Sequence, residues 1–191
     1  MSRYDHTIVV GGTGMLKATS VELARQSHTL TSIARTEESL CALDEIVSGL
    51  ICQHHTIAQD YNRISELQST VRDAIRATGP ADLVIAWIHD EAGPVPMAIC
   101  EVVAEESTRF RFIQVMGSAA ADPNRSLDVL ADRFSQIQSV RYQQVVLGFR
   151  VDLGGSRWLT NDEIADGVSD ATGSGDSMFV VGQIRPWELR P

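Results

Sequence analysis

The stretch Val9-Val10-Gly11-Gly12-Thr13-Gly14-Met15-Leu16 decides how this chain is read. A short apolar run, Ile8-Val9-Val10, meets Gly11, Gly12 and Gly14, and a helical pattern follows with Leu16, Leu23 and Ala24 on one face. Glycine has no Cβ, so such a loop turns tightly and lets another group approach its backbone. Its N–H donors would stand at the start of a helix, where an anion such as a pyrophosphate is favoured. A glycine pattern gains weight when a strand precedes it and a helix follows within a βαβ unit, as here. The alternative is a glycine-rich turn without a ligand.

Outward from this loop the same alternation continues to the end of the chain. His28–Ala34 alternates as a strand, and a helix over about 36–48 places Leu40, Leu43 and Val47 on one face. Leu50–Ile57 reads as a third strand. Ile64, Leu67, Val71 and Ile75 define the clearest helix, ended by Gly79-Pro80. Leu83–Ile88 is continuously apolar, as a strand buried on both faces of a parallel sheet must be. Met97, Cys100 and Ala104 mark the next helix. Phe110–Met116 is a fifth strand ending at Gly117-Ser118, and Leu127, Leu130, Ala131, Phe134 and Ile137 form a short helix. Gln143–Val151 reads as a sixth strand, and Gly154-Gly155 turns the chain. Thr160 and Glu163 form a capping box before a helix with Ile164, Ala165 and Val168 inward, and Met178–Val181 is a last strand. The expected fold is α/β: a doubly wound, Rossmann-like parallel sheet with helices on both faces, in one domain over 1–191.

Composition narrows the function. The chain has 191 residues, enough for one full core. A formal charge of -9 argues against a nucleic-acid partner. No apolar run approaches the roughly 18 residues needed to cross a bilayer, so no membrane role is expected. The three cysteines, Cys41, Cys52 and Cys100, are odd in number and lack C-x-x-C spacing, which implies neither a disulfide framework nor a metal site and fits a reduced, cytoplasmic setting. His54 and His55 are adjacent in a strand, point to opposite faces and so cannot chelate one metal. Of the sixteen basic residues only Lys17 is a lysine, which excludes chemistry requiring a lysine elsewhere.

The loop Gly11-Gly12-Thr13-Gly14-Met15-Leu16 resembles the cofactor loop of the short-chain dehydrogenase/reductase family, especially its atypical, reduced members. The likeness spans nearly the whole chain, because later landmarks follow in order. Asp60, after the third strand, is similar to the family's adenine-contacting aspartate. Ala86-Trp87-Ile88 lies where the family keeps an Asn-Asn-Ala-Gly-type segment beside the cofactor, and Ser118 sits where it keeps its catalytic serine. Ser156–Thr160 resembles the C-terminal region of the atypical branch. The resemblance implies a nicotinamide dinucleotide and a small carbonyl substrate. One departure lies in the loop: Lys17 stands where a third glycine would allow close helix–strand packing. It points either to a cofactor phosphate or to solvent.

Cofactor type depends on the end of the second strand. NAD-binding versions place an acid there for the ribose 2′-OH. Here the window is Thr31-Ser32-Ile33-Ala34-Arg35-Thr36, with no acid before Glu37. Arg35 is placed to pair a 2′-phosphate, helped by the hydroxyls of Ser32 or Thr36, so NADP(H) is expected over NAD(H).

The Ser–Tyr–Lys apparatus that the resemblance implies is incomplete. No Tyr-x-x-x-Lys follows Ser118; the next tyrosine, Tyr142, has Val146 four residues on and precedes a strand-like run. His89 follows the fourth strand at the sheet end where such folds bind ligands. With Ser118 it forms the catalytic pair expected here, weighed against ordinary loop polarity. Trp87 is either core or cofactor wall; Arg157 and Trp158 are either a substrate cover or anchors of the last helix. Three functional readings stand: an atypical NADP(H)-dependent reductase, a non-catalytic NADP(H)-binding sensor or regulatory module, and, more weakly, a nucleotide-free scaffold that uses the same fold for protein contacts. The triad helix commonly serves the family's dimer interface. Its counterpart over about 124–140 is short, which leaves a homo-oligomer open.

Overall fold

A computed structural model describes residues 3–88, 93–124 and 127–191. In chain order the regular elements are β1 (Tyr4–Val10), α1 (Lys17–Gln26), β2 (Ser27–Ala34), α2 (Glu37–Val47), β3 (Gln53–Ala58) and α3 (Ile64–Thr78). They continue with β4 (Leu83–Trp87), α4 (Val95–Glu106), β5 (Phe110–Met116), α5 (Leu127–Ser135) and β6 (Val140–Leu147). The chain then forms β7 (Phe149–Asp152), β8 (Gly155–Trp158), α6 (Asn161–Ser174) and β9 (Met178–Val181). Seven strands make one parallel sheet in the order β3-β2-β1-β4-β5-β6-β9, and β7 pairs antiparallel with β8 in a separate hairpin.

The strand sequences explain this arrangement. Leu83, Val84, Ile85 and Ala86 of β4 are fully buried because helices cover both sheet faces. Against one face pack Leu67, Val71 and Ile75 of α3, Ile99 and Val103 of α4, and Phe134 of α5. The other face takes Leu23 of α1, Leu43 and Val47 of α2, and Ile164 and Val168 of α6. Side chains alternate along a strand, so each central strand feeds both layers. The chain winds outward from β1 to β3, then starts again at β4 and winds the other way. The carboxyl ends of β1 and β4 therefore diverge at a switch point, the place where open α/β sheets form a crevice.

Local signals account for the boundaries. The α3 pattern ends where Gly79 takes φ +99, and its N–H bonds the Ile75 carbonyl. Both halves of the Thr160/Glu163 capping box are formed at α6. Two expectations are corrected. The third strand begins at Gln53 rather than Leu50, because Leu50 N–H is taken by the Val47 carbonyl in the turn after α2. The sixth strand runs over Val140–Leu147, not Gln143–Val151. At Gly148 the backbone of Gln183 comes so close that a Cβ would lie 2.1 Å from its carbonyl oxygen. Phe149 and Gln183 exchange two backbone hydrogen bonds there (2.9 and 3.0 Å), and the chain leaves the sheet for the β7–β8 hairpin.

Candidate functional site

The glycine loop fills the crevice between β1 and β4. Gly11 takes φ +80, and a Cβ on it would lie 2.2 Å from the Trp87 carbonyl oxygen at the end of β4. Only glycine satisfies both conditions. A Cβ on Gly12 would meet Ser20 Oγ at 2.4 Å and Val9 at 2.5 Å, and Ser20 Oγ donates to the Gly12 carbonyl at 2.8 Å. The close helix–strand approach therefore falls at Gly12 and Ser20. Gly14 is exposed, and a Cβ there would meet nothing within 4 Å. The start of α1 behind it has no side-chain cap and no acid in its first turn. A helix N-terminus left in this state suits an anion.

Two adjoining cavities open over the carboxyl ends of the strands. The first, about 290 Å³, is lined by Gly11, Thr13, Gly14, Met15, Ala34, Arg35, Tyr61 and Trp87. The second, about 340 Å³, is bounded by Met15, Trp87, Gly117, Ser118, Trp158, Asn161 and Arg190, among others. Met15 and Trp87 belong to both, so the cavities are two halves of one groove. The residues present fit a dinucleotide: a glycine cradle opens between two compartments, with an uncapped helix start at its centre.

Of the residues expected to hold the cofactor, Gly11, Thr13, Gly14, Met15, Arg35 and Trp87 line the first cavity. The others do not. Leu16, Ala86 and Ile88 are core residues at 0, 0 and 2% exposure, and Gly12 is buried under α1. Ser32 is turned away from Arg35, because side chains alternate along β2; its hydroxyl bonds His54 Nε2 at 2.9 Å. Thr36 caps α2, accepting from Ser39 N–H. Asp60 accepts from the backbone N–H and side-chain amide of Asn62, both at 3.0 Å, closing a turn. Its neighbour Tyr61 enters the cavity instead, with the Arg35 guanidinium 5.8 Å from its ring centre. Tyr61 and Ala34 escaped the sequence reading, although the position after β3 was already under consideration.

Ser118 follows β5, is 8% exposed and faces the second cavity. Its oxygen accepts from Arg190 Nε–H at 2.8 Å. The Arg190 guanidinium lies over the indoles of Trp158 (5.0 Å) and Trp187 (5.2 Å). Trp158 thus lines the groove, whereas Arg157 is held by Glu163 (2.9 and 3.0 Å) beside Asp152. Arg157 and the Thr160 N–H hold the Glu163 carboxyl down to about 2. His89 lies outside the described residues. Lys17 does not line either compartment; it lines a third, adjoining cavity with Val21, Arg25 and Asp162, which shares Gly14 and Met15 with the first and Met15 and Asn161 with the second.

Tyr142 does not line either compartment of the groove. It belongs to β6, stacks on Phe134 at 3.9 Å, and donates its hydroxyl to Gln114 at 2.7 Å. Burial pushes its pKa well above the usual tyrosine value. Ser32, His54 and Asp44 form a second chain of interest. A carboxylate only accepts, so His54 Nδ1–H donates to Asp44 (2.7 Å) and Nε2 accepts from Ser32 O–H. The connectivity is that of a nucleophilic triad, but Ser32 is 1% exposed, out of reach of a substrate. The chain instead ties β2, β3 and α2 together. Among the described residues there is no group of three or more His, Cys, Asp or Glu side chains able to hold a metal ion. No described helix is long and apolar enough to cross a membrane.

This architecture is a doubly wound α/β fold with a crevice at the switch point. No family model matches the sequence, and no curated protein is similar to it. Solved structures do match. The NADH-dependent reductase A1-R′ complexed with NAD superposes with a TM-score of 0.74 at 16% identity, over 93% of this chain and 95% of that one. A short-chain type dehydrogenase/reductase from Mycobacterium ulcerans gives 0.72 at 14% identity, over 94% and 89%. An alcohol dehydrogenase from Thermococcus sibiricus, complexed with 5-hydroxy-NADP, gives 0.73 at 15% identity, over 92% and 95%. The fold is therefore the short-chain dehydrogenase/reductase fold, and at these identities the likeness is one of fold.

Proposed function

We propose that this chain binds a nicotinamide dinucleotide along the groove, preferring NADP(H) to NAD(H), and acts as an atypical oxidoreductase on a small carbonyl compound. The observation that carries the reading is Gly11, forced by its φ and by the Trp87 carbonyl to be glycine, opening directly into a cavity that contains Arg35. The loop from Gly11 to Met15 cradles the pyrophosphate. Tyr61 and Arg35 wall the adenosine end, where Arg35 pairs with the 2′-phosphate. The fold neighbours include one bound to NAD and one bound to 5-hydroxy-NADP, so the preference rests on Arg35.

A bound nicotinamide exchanges hydride with a carbonyl carbon. The role assigned to Ser118 is to donate its O–H to the carbonyl oxygen; Arg190 Nε–H occupies the other side of the hydroxyl oxygen and strengthens it as a donor. His89 is the proton source on sequence grounds. The test is a titration with NADPH and NADH, followed by NADPH oxidation with a panel of aldehydes, ketones and quinones. Binding with substrate-dependent turnover supports the reading, and failure of both nucleotides to bind overturns it. The engagement of Tyr142 with Gln114 and Phe134 and the absence of any lysine but Lys17 favour a second reading, a non-catalytic NADP(H)-binding sensor or regulatory module. Nucleotide-dependent changes in stability or assembly without turnover on any substrate would select it.

A further inference from the structure

The segment after β9 returns across the sheet end and brings Arg190 to Ser118, 72 positions away in sequence. Arginines in this protein are commonly neutralised by carboxylates: Arg25, Arg63, Arg72, Arg76, Arg150 and Arg157 all are. Arg190 has no such partner among the described residues, although the protein carries a net charge of -9. Its guanidinium is fixed instead by Trp158 and Trp187 and by a single hydrogen bond through Nε. Among the described residues neither Nη group is engaged in a hydrogen bond. A guanidinium held in one plane, with a paired edge unengaged, matches a carboxylate in bidentate geometry. It forms one wall of the cavity that contains Ser118, Asn161, Met15 and Trp87.

We infer that Arg190 is a specificity residue that binds the carboxylate of the substrate, so that the carbonyl compound taken by this site is a small oxo acid. The inference rests on the reading of the groove as a carbonyl site and deepens it. One cation with neighbouring neutral donors balances a monoanion; a phosphate dianion would call for more positive charge than this cavity supplies. The Ser118 hydroxyl, bonded directly to Arg190, then stands beside the carbonyl of an acid whose carboxylate is seated on the guanidinium. The two indole rings beside the guanidinium fix its place in the cavity wall, which pre-organises it for a carboxylate.

The test exploits the fact that Trp87, Trp158 and Trp187 are the chain's three tryptophans. Their indole N–H resonances are followed by NMR while 2-oxobutyrate, its neutral methyl ester, and butyrate are added to the whole protein. The acid should shift these resonances with at least about tenfold higher affinity than the ester, and butyrate should share part of that advantage. Arg190→Gln should weaken 2-oxobutyrate by about tenfold or more without changing the ester. Arg190→Lys should restore part of the loss, and Arg133→Gln on the exposed side of α5 should change nothing. Equal affinity for acid and ester, or an Arg190→Gln protein that melts normally and binds the acid as before, overturns the inference. NADPH is titrated separately. Acid binding without NADPH binding keeps the carboxylate site and overturns the reductase reading. NADPH-dependent reduction of neutral carbonyls with no preference for the acid does the reverse.

Discussion

Beside Gly11 the groove is walled by short loops that leave β1, β2, β3 and β4; beside Ser118 it is walled by segments scattered from Met15 to Arg190. The first compartment is shaped by backbone. Gly11 faces a carbonyl oxygen, Gly12 is packed under Ser20, and Gly14 opens to the cavity. The second compartment is shaped by side chains: a serine, an asparagine, three tryptophans nearby and one arginine from beyond the last strand. A backbone-built cradle depends for its shape on the glycines that are closely packed, Gly11 and Gly12. A side-chain-built site can change what it recognises while the sheet stays intact.

The sharpest way to break this contrast is to place a methyl group at two glycines of one loop. Gly11→Ala should destabilise the protein by on the order of 3 kcal/mol, measured by urea unfolding, because positive φ and the Trp87 carbonyl oppose it together. Gly14→Ala should stay within about 0.5 kcal/mol of the parent yet weaken nucleotide binding, since its Cβ enters only the cavity. Equal costs at the two positions would end the distinction. Arg35→Ala should lower NADPH affinity by about tenfold or more and NADH affinity by less than about twofold, measured calorimetrically. Equal losses for both nucleotides, or no loss, would remove Arg35 as the 2′-phosphate reader.

On the Ser118 side, Thr160→Ala removes the cap that sets the start of α6 beside Asn161 and should cost about 1 kcal/mol in thermal or urea unfolding. The smallest effects are those of pH, and they should separate the two halves. Burial lowers the pKa of His6 on β1, whose ring bonds the Gly79 carbonyl (2.8 Å) and Thr31 (2.9 Å). Its contribution is complete above the ordinary value near 6.5 and declines as pH falls below it. The Glu163 clamp on Arg157 is complete above about 4.5 and is lost only as pH falls toward about 2. Amide exchange should therefore rise first around β1 and β2, and only in stronger acid around β8 and α6. The reverse order would contradict these assignments.

Much of the fold was legible because it is written at short range. The apolar run of β4, the α3 repeat and the Thr160/Glu163 box each lie within one element, and each appears where the pattern places it. The start of β3 was misplaced by a local turn, where the Val47 carbonyl takes the Leu50 N–H, and the end of β6 by a distant segment. Nothing near Gly148 in sequence announces Gln183, whose backbone ends β6 there. The candidate site divides in the same way. Gly11, Gly14 and Arg35 could be named from the loop and the strand end. Ser32 and Thr36 stood close to Arg35 in sequence, yet one is turned toward His54 and the other caps α2. Tyr61 was missed by one residue, because Asp60 closes a turn that aims its successor inward.

The sequence by itself determined the alternating α/β architecture, the glycine loop and the missing Tyr-x-x-x-Lys pair, since each depends on residue type at fixed local spacing. It also determined that Lys17 is the chain's lone lysine. Only the tertiary structure decided that Tyr142 stacks on Phe134 and bonds Gln114, and that Arg190 meets Ser118 beside two indoles. The physical reason is reach. Helix and strand periodicities and glycine sterics act over a few residues, whereas the Ser118 compartment exists only after the sheet has brought residues 15, 87, 118, 158 and 190 to one end.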